Sequence, residues 1–453
     1  MNEVREIRLG RPLHRWERSL TQEGELYLVG GIVRDLALGA QNDAADTDYV
    51  VCGIEYERLL RLLEPFGRTH LVGKSFGVIK FDAPDGSDVD IALPRTEVST
   101  GRGHRDFDVR HDSTLPIERD LERRDYTINS MALSLNDGRL VDPMGGWEDL
   151  ARSILRVNRE GSFLEDPLRM LRGVQFMARF GLKADEETRR LMTEHADLLE
   201  SVSAERVREE LNKLLLSDRP SEGLVFMHET GLLGKVLPEL DEAWGVEQNE
   251  FHPDDVFYHS VRSCDQAPRD LEIRWAALLH DIGKPKMKQV VDGRTVFYRH
   301  QEEGAEMAER MLERLRFPAE FTRRVSTLVE HHMFNISDEW SDGALRRFVA
   351  KVGTENLDGL FALRVADAKS MGDRYVGTNI DWIRGEIERI LEQEAALKRT
   401  DLAISGREVM EILGIEQGRR VGEVLEKLLE RVLDDPSLNE RETLIEMVRG
   451  MKR

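Results

Sequence analysis

The spacing of apolar residues changes once along this chain, near residue 150, and that change decides most of what it can fold into. Before it, short β-branched runs recur between Gly and Asp: ELYLV (25–29), TDYVV (47–51), GVIKF (77–81) and DVDIA (88–92). Short runs of this kind, bounded by turn residues, predict strands. IVRDLALG (32–39) predicts a helix closed by Gly39, and a second helix is expected over 55–63. After the change, DPLRMLRGVQFMARF (166–180) and ERVREELNKLLL (205–216) carry apolar residues at helical spacing. The one strand signal in this part is KQVVDGRTVFYR (288–299), read as a hairpin turning at Asp292–Gly293. The expected fold class is therefore α+β, a small sheet-bearing head followed by a mostly helical remainder ending in an amphipathic tail over 401–453.

Composition narrows the class. At 453 residues, 40% hydrophobic and 33% charged with 14 Pro, the chain is globular and long enough for two to four domains. Two cysteines, Cys52 and Cys264, exclude a disulfide framework or a Cys-rich zinc site. MNEVREIRLG lacks the apolar stretch of a secretory signal, and no apolar run reaches the ~18 residues of a membrane span, so a reducing cytosol is expected. The net charge of −21 argues against a generally nucleic-acid-binding surface. Residues 102–124 hold six Arg but also six acids, so any RNA surface must be local and assembled in three dimensions.

Two groups of motifs carry chemistry. In the head, Gly30-Gly31 lies between a strand and a helix, where backbone N–H groups can approach a phosphate, and Arg34 on the first turn can reach the same anion. A bare Gly-Gly is more often a tight turn. Asp46-Thr47-Asp48 then heads a strand, its alternation putting both carboxylates on one face. Acids so close repel unless a cation lies between them, and magnesium prefers such oxygen ligands. A third acid, Asp90, follows in SDVDIA. A Gly-Gly turn, D-x-D and a strand acid is the layout for two-metal nucleotidyl transfer. Further on, Arg123-Arg124-Asp125-Tyr126-Thr127-Ile128-Asn129-Ser130 is dense in hydrogen-bonding groups. Asp142-Pro143-Met144-Gly145-Gly146 forms a turn, and Glu165-Asp166-Pro167-Leu168-Arg169-Met170-Leu171-Arg172 opens a helix. Asp166 and Arg169, three apart, share a face and can read a base edge; the plain alternative is an exposed ion pair.

These segments in order resemble the class II tRNA nucleotidyltransferases, the CCA-adding enzymes and their poly(A) polymerase relatives. YLVGGIVRDLALG with DTDYVV resembles motif A, RRDYTINSMA motif B, DPMGGWEDL motif C, EDPLRMLR motif D and VSAERVREELNKLL motif E. The resemblance implies a polymerase-β-like head with a helical neck, body and tail. It implies Asp46 and Asp48 as metal ligands and Asp90 as the third catalytic carboxylate. It places Gly30, Gly31 and Arg34 at a triphosphate, Arg124 and Asp125 near sugar and phosphates, Asp166 and Arg169 as the pair that selects CTP and ATP, and Arg172 as a further nucleotide contact. Motif D often carries another arginine three residues on, where this chain has Gln175; motif B has Tyr126 and Ser130 where Phe and Ala are usual.

The helical part holds the second group. His280-Asp281 ends the apolar run WAALLHDIGK, with His259 before it and His300, His331-His332 and Asp367 after it. Imidazole and carboxylate together suit transition metals and magnesium. One such histidine is ordinarily a hydrogen-bonded structural residue; the ordered set resembles the HD phosphohydrolases over about residues 252–370. That resemblance implies His259, His280, Asp281 and Asp367 as core ligands. His300 and His332 would extend the site to two divalent metals, and His332 fits the pattern better than His331. The expected organisation is a head over 1–150, a nucleotide- and RNA-binding neck and body over 151–250, an HD domain over 251–375 and a tail over 376–453. The expected activity is template-independent addition or repair of the tRNA 3′-CCA from CTP and ATP with Mg²⁺, beside a metal-dependent HD phosphohydrolase. The alternatives are CC-only or A-only addition, a poly(A) polymerase, or an HD nucleotide hydrolase with an RNA-binding head. The 26-residue stretch Arg95 to Asp120 favours full CCA or A addition, because CC-only relatives tend to lack the loop between motifs A and B.

Overall fold

The computed structural model describes residues 9, 11–39, 47–71, 77–99, 107–248, 254–334, 340–372, 380–392 and 398–451. The chain divides into two compact units, Met1–Pro238 and Glu239–Arg453.

The first unit is built on a seven-stranded sheet. Its strands are β1 (Glu25–Val29), β2 (Thr47–Cys52), β3 (Arg68–Leu71), β4 (Val78–Asp82), β5 (Asp88–Ala92), β8 (Ala132–Ser134) and β9 (Leu140–Val141), in the order β3-β4-β5-β2-β1-β8-β9. Only β2 and β5 run parallel; the other neighbours are antiparallel. Strands β6 (Arg95–Ser99) and β7 (Phe107–His111) form a separate antiparallel ribbon within the stretch between the third acid and motif B. One face of the sheet buries Leu26, Leu28, Val51, Ile79, Phe81 and Ile91, and the buried Trp16 ring lies edge-on to Tyr49 and Phe81. The other buries Tyr27, Val29, Val50 and Cys52 with Ile117 and Leu121 from the short helix Ile117–Glu122. Alternation within the strands thus sends apolar residues to two covers, as period two requires.

The helix after β1 spans Gly31–Ala37, and that between β2 and β3 spans Tyr56–Leu63, both where apolar spacing predicts them. The long helix expected from Asp166 instead begins at Leu168 and runs to Phe180. Asp166 is extended, with φ −141° and ψ 99°. The cause is Pro167, whose ring disfavours helical backbone in the residue before it. A short parallel pair, Ile154–Leu155 with Lys183–Ala184, was not foreseen; two residues carry no periodic signal. Helix Ala204–Leu215 follows the expected motif E segment.

Among the described residues the second unit is helical apart from the antiparallel hairpin Gln289–Val291 with Arg294–Val296, whose turn lies at Asp292–Gly293. Helices Val256–Gln266, Leu271–Leu279, Ala319–His331 and Leu357–Ser370 pack together, with His300–Arg314 against Ala319–His331. The tail helices Gly406–Leu413, Arg419–Asp434 and Arg441–Gly450 share a core of Val409, Leu428, Val432, Leu444 and Val448. Buried Arg346 ties the helix Asp342–Val352 to that core by donating to the Leu433 carbonyl at 2.8 Å. Among the described residues no helix is long and apolar enough to cross a membrane.

Candidate active site and metal centre

In the parallel pairing of β2 and β5, Asp48 lies directly opposite Asp90, and Lys80 of β4 lies opposite Asp90 on its other side. Lateral partners share a face, so two carboxylates and one ammonium stand in a row. Lys80 Nζ is 3.4 Å from Asp90 Oδ1. The acids occupy the face that also buries Val50 and Cys52; Asp48, near the start of β2, is exposed, and Asp90, at the middle of β5, is half-buried. Like charges abreast on neighbouring strands repel, and a cation between them relieves this. This pair therefore fits a hard divalent ion with oxygen ligands. Asp46, the other expected ligand, lies outside the described residues.

Gly30 sits beside these acids with φ +72° and ψ −133°, a conformation closed to residues with a side chain. A Cβ there would stand 3.1 Å from an Arg124 guanidinium nitrogen and 3.7 Å from Asp48 Oδ2. Gly30, Asp48 and Arg124 are thus in mutual reach. Arg124 is held from behind by the buried Asp120, which also pairs with Arg123. Burial works against the Asp120 charge, but the two guanidinium groups hold its carboxyl below the usual range.

From the Gly30–Gly31 turn a hydrogen-bonded chain crosses three segments of the sequence. Arg34 donates to Asn129 Oδ1 at 2.7 Å, Asn129 donates to Asp125 Oδ1 at 3.2 Å, and Arg172 donates to Asp125 Oδ2 at 2.9 Å. The Arg34 guanidinium lies 4.2 Å from the Phe180 ring centroid. Burial pushes the Arg34 pKa down, with Asp35 opposing. Asp125 is buried, which raises its pKa, yet Arg172, the Asn129 amide and Arg169 hold it below the usual value. Gly173 is needed here for space: a Cβ would meet the Tyr126 hydroxyl oxygen at 2.1 Å. That hydroxyl donates to the Arg169 carbonyl at 2.7 Å, which joins the motif B segment to the helix carrying Arg169 and Arg172.

Asp166 and Arg169 are not placed by helical spacing, since Asp166 precedes the helix. Asp166 Oδ1 accepts from the Leu168 amide at 3.2 Å, and its Oδ2 pairs with Arg206 at 2.8 Å. Arg169 donates to Ser162 Oγ at 2.9 Å and to Glu165 at 3.2 Å. Sequence reasoning assigned nothing to Arg206 or Asn129. Asn129 had a weak signal, standing four residues after Asp125; Arg206 had none, being forty residues from its partner.

The second cluster lies wholly in the helical unit. His259 comes from the helix Val256–Gln266, His280 caps Leu271–Leu279, His300 opens its helix, His332 follows Ala319–His331 and Asp367 comes from Leu357–Ser370. His259 Nε2 is 3.1 Å from both His280 Nε2 and Asp367 Oδ1. Asp281 is the bridge: its Oδ2 is 3.2 Å from His280 Nε2, and its Oδ1 is 3.3 Å from His300 Nε2 and 3.7 Å from His332 Nε2. Two groups with metal-ligand spacing result, His259–His280–Asp367 and His280–Asp281–His332. His331, by contrast, is half-buried and has Glu330 and Lys351 as its charged neighbours.

The donor set fits a divalent cation. His280, His300 and His332 each direct Nδ1 at the carbonyl three residues back, at 2.9, 2.8 and 2.7 Å. A carbonyl has no proton, so each Nδ1 donates and each Nε2 faces the centre. Asp281 Oδ1, His300 Nε2 and His332 Nε2 are buried and make no hydrogen bond among the described residues. Burial pushes the His332 pKa down to about 4, which keeps that imidazole a neutral ligand. Burial opposes the Asp281 charge, but His280 and Lys284 hold its carboxyl well below the usual range. Lys284, which sequence reasoning passed over, donates to Asp281 Oδ2 and to Gln248 Oε1, both at 2.6 Å.

Comparison with known proteins bears on both sites. A model of the poly A polymerase head domain matches residues 26–156, one of the probable RNA and SrmB-binding site of polymerase A matches 181–243, and one of the HD domain matches 252–372. The multifunctional CCA protein of Xanthomonas campestris pv. campestris (strain B100) is 35% identical over 417 residues, covering 88% of this chain and 96% of the relative. This chain belongs to the tRNA nucleotidyltransferase and poly(A) polymerase family. Another member of the tRNA nucleotidyltransferase family, the A-adding tRNA nucleotidyltransferase of Deinococcus radiodurans, is 38% identical over 346 residues, 71% of this chain and 77% of that one. The CCA-adding enzyme of Bacillus stearothermophilus, solved in complex with CTP, shares the fold with a TM-score of 0.67 at 23% identity, covering 96% of this chain and 95% of its own. Within the tRNA nucleotidyltransferase family, this chain is an enzyme with a nucleotidyltransferase head, a helical body and an HD domain.

Proposed function

We propose that this chain is a template-independent tRNA nucleotidyltransferase that builds or repairs the 3′-terminal CCA of tRNA from CTP and ATP. The observation that carries the reading is Asp48 abreast of Asp90, within reach of Gly30 and Arg124. Asp46 and Asp48 are the residues assigned to magnesium, which when bound supplies Lewis-acid stabilisation of a reacting phosphate, and Asp90 is the third catalytic carboxylate. Arg34 and Arg124 set positive charge beside the Gly30–Gly31 turn for a triphosphate. Asp125 orients Arg172, and Asn129 orients Arg34, so that sugar and phosphates meet preset donors. Asp166 and Arg169, braced by Arg206, Ser162 and Glu165, offer one acceptor and one donor to a base edge. The tRNA 3′-hydroxyl oxygen attacks the α-phosphorus, its proton passes to solvent, the bond from the α-phosphorus to the bridging oxygen breaks, and pyrophosphate leaves. Domain boundaries near residues 150, 250 and 375 and a cytoplasmic setting belong to the same reading.

The HD cluster adds a second activity, hydrolysis of a phosphoester such as a terminal 2′,3′-cyclic phosphate or a 2′-nucleotide, with His259, His280, Asp281, His300, His332 and Asp367 holding divalent metal. The D. radiodurans relative favours one further reading of the head, addition of A alone. Extension of three tRNA transcripts, ending before CCA, at C and at CC, with CTP and ATP supplied separately, decides. Full CCA addition extends the first two with CTP and the third with ATP. Extension of the third alone means A addition, and unlimited growth with ATP means a poly(A) polymerase. No extension of any overturns the proposal.

A further inference from the structure

Among the described residues four histidines meet in the HD cluster, and three share one device: Nδ1–H donated to a backbone carbonyl three residues back. His259 does not. Its Nδ1 is 3.1 Å from the hydroxyl oxygen of Ser370, a residue 111 positions away on another helix. Ser370 Oγ also lies 2.7 Å from the Asp367 carbonyl and 3.0 Å from Ser263 Oγ.

A count of protons settles the direction of each bond. The Asp367 carbonyl has none, so the 2.7 Å contact uses the single proton of Ser370. Ser370 Oγ is then an acceptor only. It receives the Ser263 hydroxyl proton, and it receives a proton from His259 Nδ1. His259 is therefore the tautomer with Nδ1 protonated, and its Nε2 lone pair faces His280 Nε2 and Asp367 Oδ1, both 3.1 Å away. Without Ser370, Nδ1–H of this almost fully buried ring (2% exposed) would lose the hydroxyl acceptor 3.1 Å away. A neutral imidazole has another choice: to carry its proton on Nε2 and donate it to Asp367 Oδ1. That arrangement satisfies the ring and blocks the lone pair a metal needs.

We infer that Ser370 is a positioning residue of the HD metal centre: its hydroxyl fixes the His259 tautomer that presents the Nε2 lone pair to a cation. It does for His259 what a backbone carbonyl does for the other three histidines. Because its own proton goes to the Asp367 carbonyl, one hydroxyl links two ligands, on the helices Val256–Gln266 and Leu357–Ser370. Ser263, four residues after His259, fills the other lone pair and orients the hydroxyl. The inference rests on the reading of this cluster as a metal centre.

The test reads tautomer and metal separately. Long-range ¹H–¹⁵N spectra of the full chain labelled with ¹⁵N-histidine, metal-free, report which His259 nitrogen is protonated, with assignment from the signals lost in His259→Gln. Isothermal titration with Co²⁺ reports affinity. In wild type the proton is expected on Nδ1. Ser370→Ala should move it to Nε2 and weaken Co²⁺ binding roughly 10- to 100-fold, the usual effect of losing an outer-sphere partner. Ser370→Thr keeps the hydroxyl and should restore both, which a purely structural role of the serine would not predict. Ser263→Ala should leave the proton on Nδ1. An unchanged His259 tautomer in Ser370→Ala overturns the inference. If wild type binds no Co²⁺, the metal reading fails, while the tautomer in Ser370→Ala still decides what the hydroxyl does.

Discussion

Asp48 stands exposed at the open end of a strand, whereas Asp281 is 1% exposed and has the imidazoles of His280, His300 and His332 within reach. Both are acids assigned to metal ions, but they stand in opposite relations to the fold. Asp48 is exposed and Asp90 half-buried, and the sheet beneath them is complete without them. The residues proposed as HD ligands come from five segments that pack on one another, and Asp281 compensates a buried lysine. An exposed site assembled on a finished scaffold can lose a ligand and remain folded. A buried one is part of what holds its unit together.

The comparison can be broken most directly at Asp48. Asp48→Ala should lower nucleotide addition by roughly 10³-fold or more. Unfolding free energy should stay within about 0.5 kcal/mol of wild type, as for an exposed substitution. Primer extension and urea melts on one preparation read both; a large loss of stability would make the head acids structural. The next effect falls on stability instead. Asp281→Ala leaves the Lys284 ammonium, hydrogen-bonded at 2.6 Å in wild type, uncompensated in the interior. A cost of about 3–5 kcal/mol to the helical unit is expected, with loss of bound metal and of phosphoester hydrolysis. CCA addition measured below the lowered melting temperature should persist, and its loss there would mean that the two sites are coupled.

A smaller effect sharpens the picture within the first unit. Asp166→Ala removes an acceptor set by Leu168 and Arg206 and should cost about 1–3 kcal/mol of discrimination, read as misincorporation of UTP and GTP against CTP and ATP. Unchanged selectivity at a lower rate would make Asp166 a brace for Arg206 alone.

The smallest effect concerns acid. In the helical unit burial lowers the His332 pKa to about 4, so the metal-free unit binds fewer protons than its unfolded chain between that value and about 6.5. Its stability therefore falls as pH drops through that window. His280 has the opposite sign. Burial lowers its pKa, but Asp281 and Asp367 outweigh this and raise it, so its contribution is complete below about 6.5 and is lost as pH rises through the raised value. In the head, Glu17, Asp120 and Asp125 are held below their usual values by arginine and hydrogen-bond partners despite burial. Their contribution is present above about 4.5 and lost only as pH falls further. Melting of the metal-free protein from pH 7 to 4 should show the helical unit weakening first; simultaneous weakening, or the head first, contradicts this assignment.

Much of the frame was legible in the sequence, for local reasons. Strand β5 runs over Asp88–Ala92 as alternation predicts, and the Asp292–Gly293 turn falls between its strands because both residues adopt left-handed backbone readily. The helix expected at Asp166 begins two residues later, since Pro167 outweighs the apolar spacing. Motif order named the candidate ligands, but not their supports. Arg206 reaches Asp166 and Ser370 reaches His259 only after the chain has folded, and neither pair has a spacing that a sequence pattern records. Lys284 was within sight, three residues after Asp281, but a lysine at that spacing is ordinarily a solvated partner. Burial gives it its weight, and burial is a property of the assembled unit.

The chain Arg34–Asn129–Asp125–Arg172 has a consequence for how this protein can vary. Each link is chemically specific, and each inner member serves two neighbours, so a change at one position alters which residues are acceptable at the others. Epistasis should therefore be concentrated here. In a library randomised at these four positions and selected for tRNA maturation, survivors should emerge as compatible quartets rather than as independent single changes. Evolutionary drift through this part of the first unit would then have to proceed by linked steps, while the exposed face of the tail helices drifts one residue at a time.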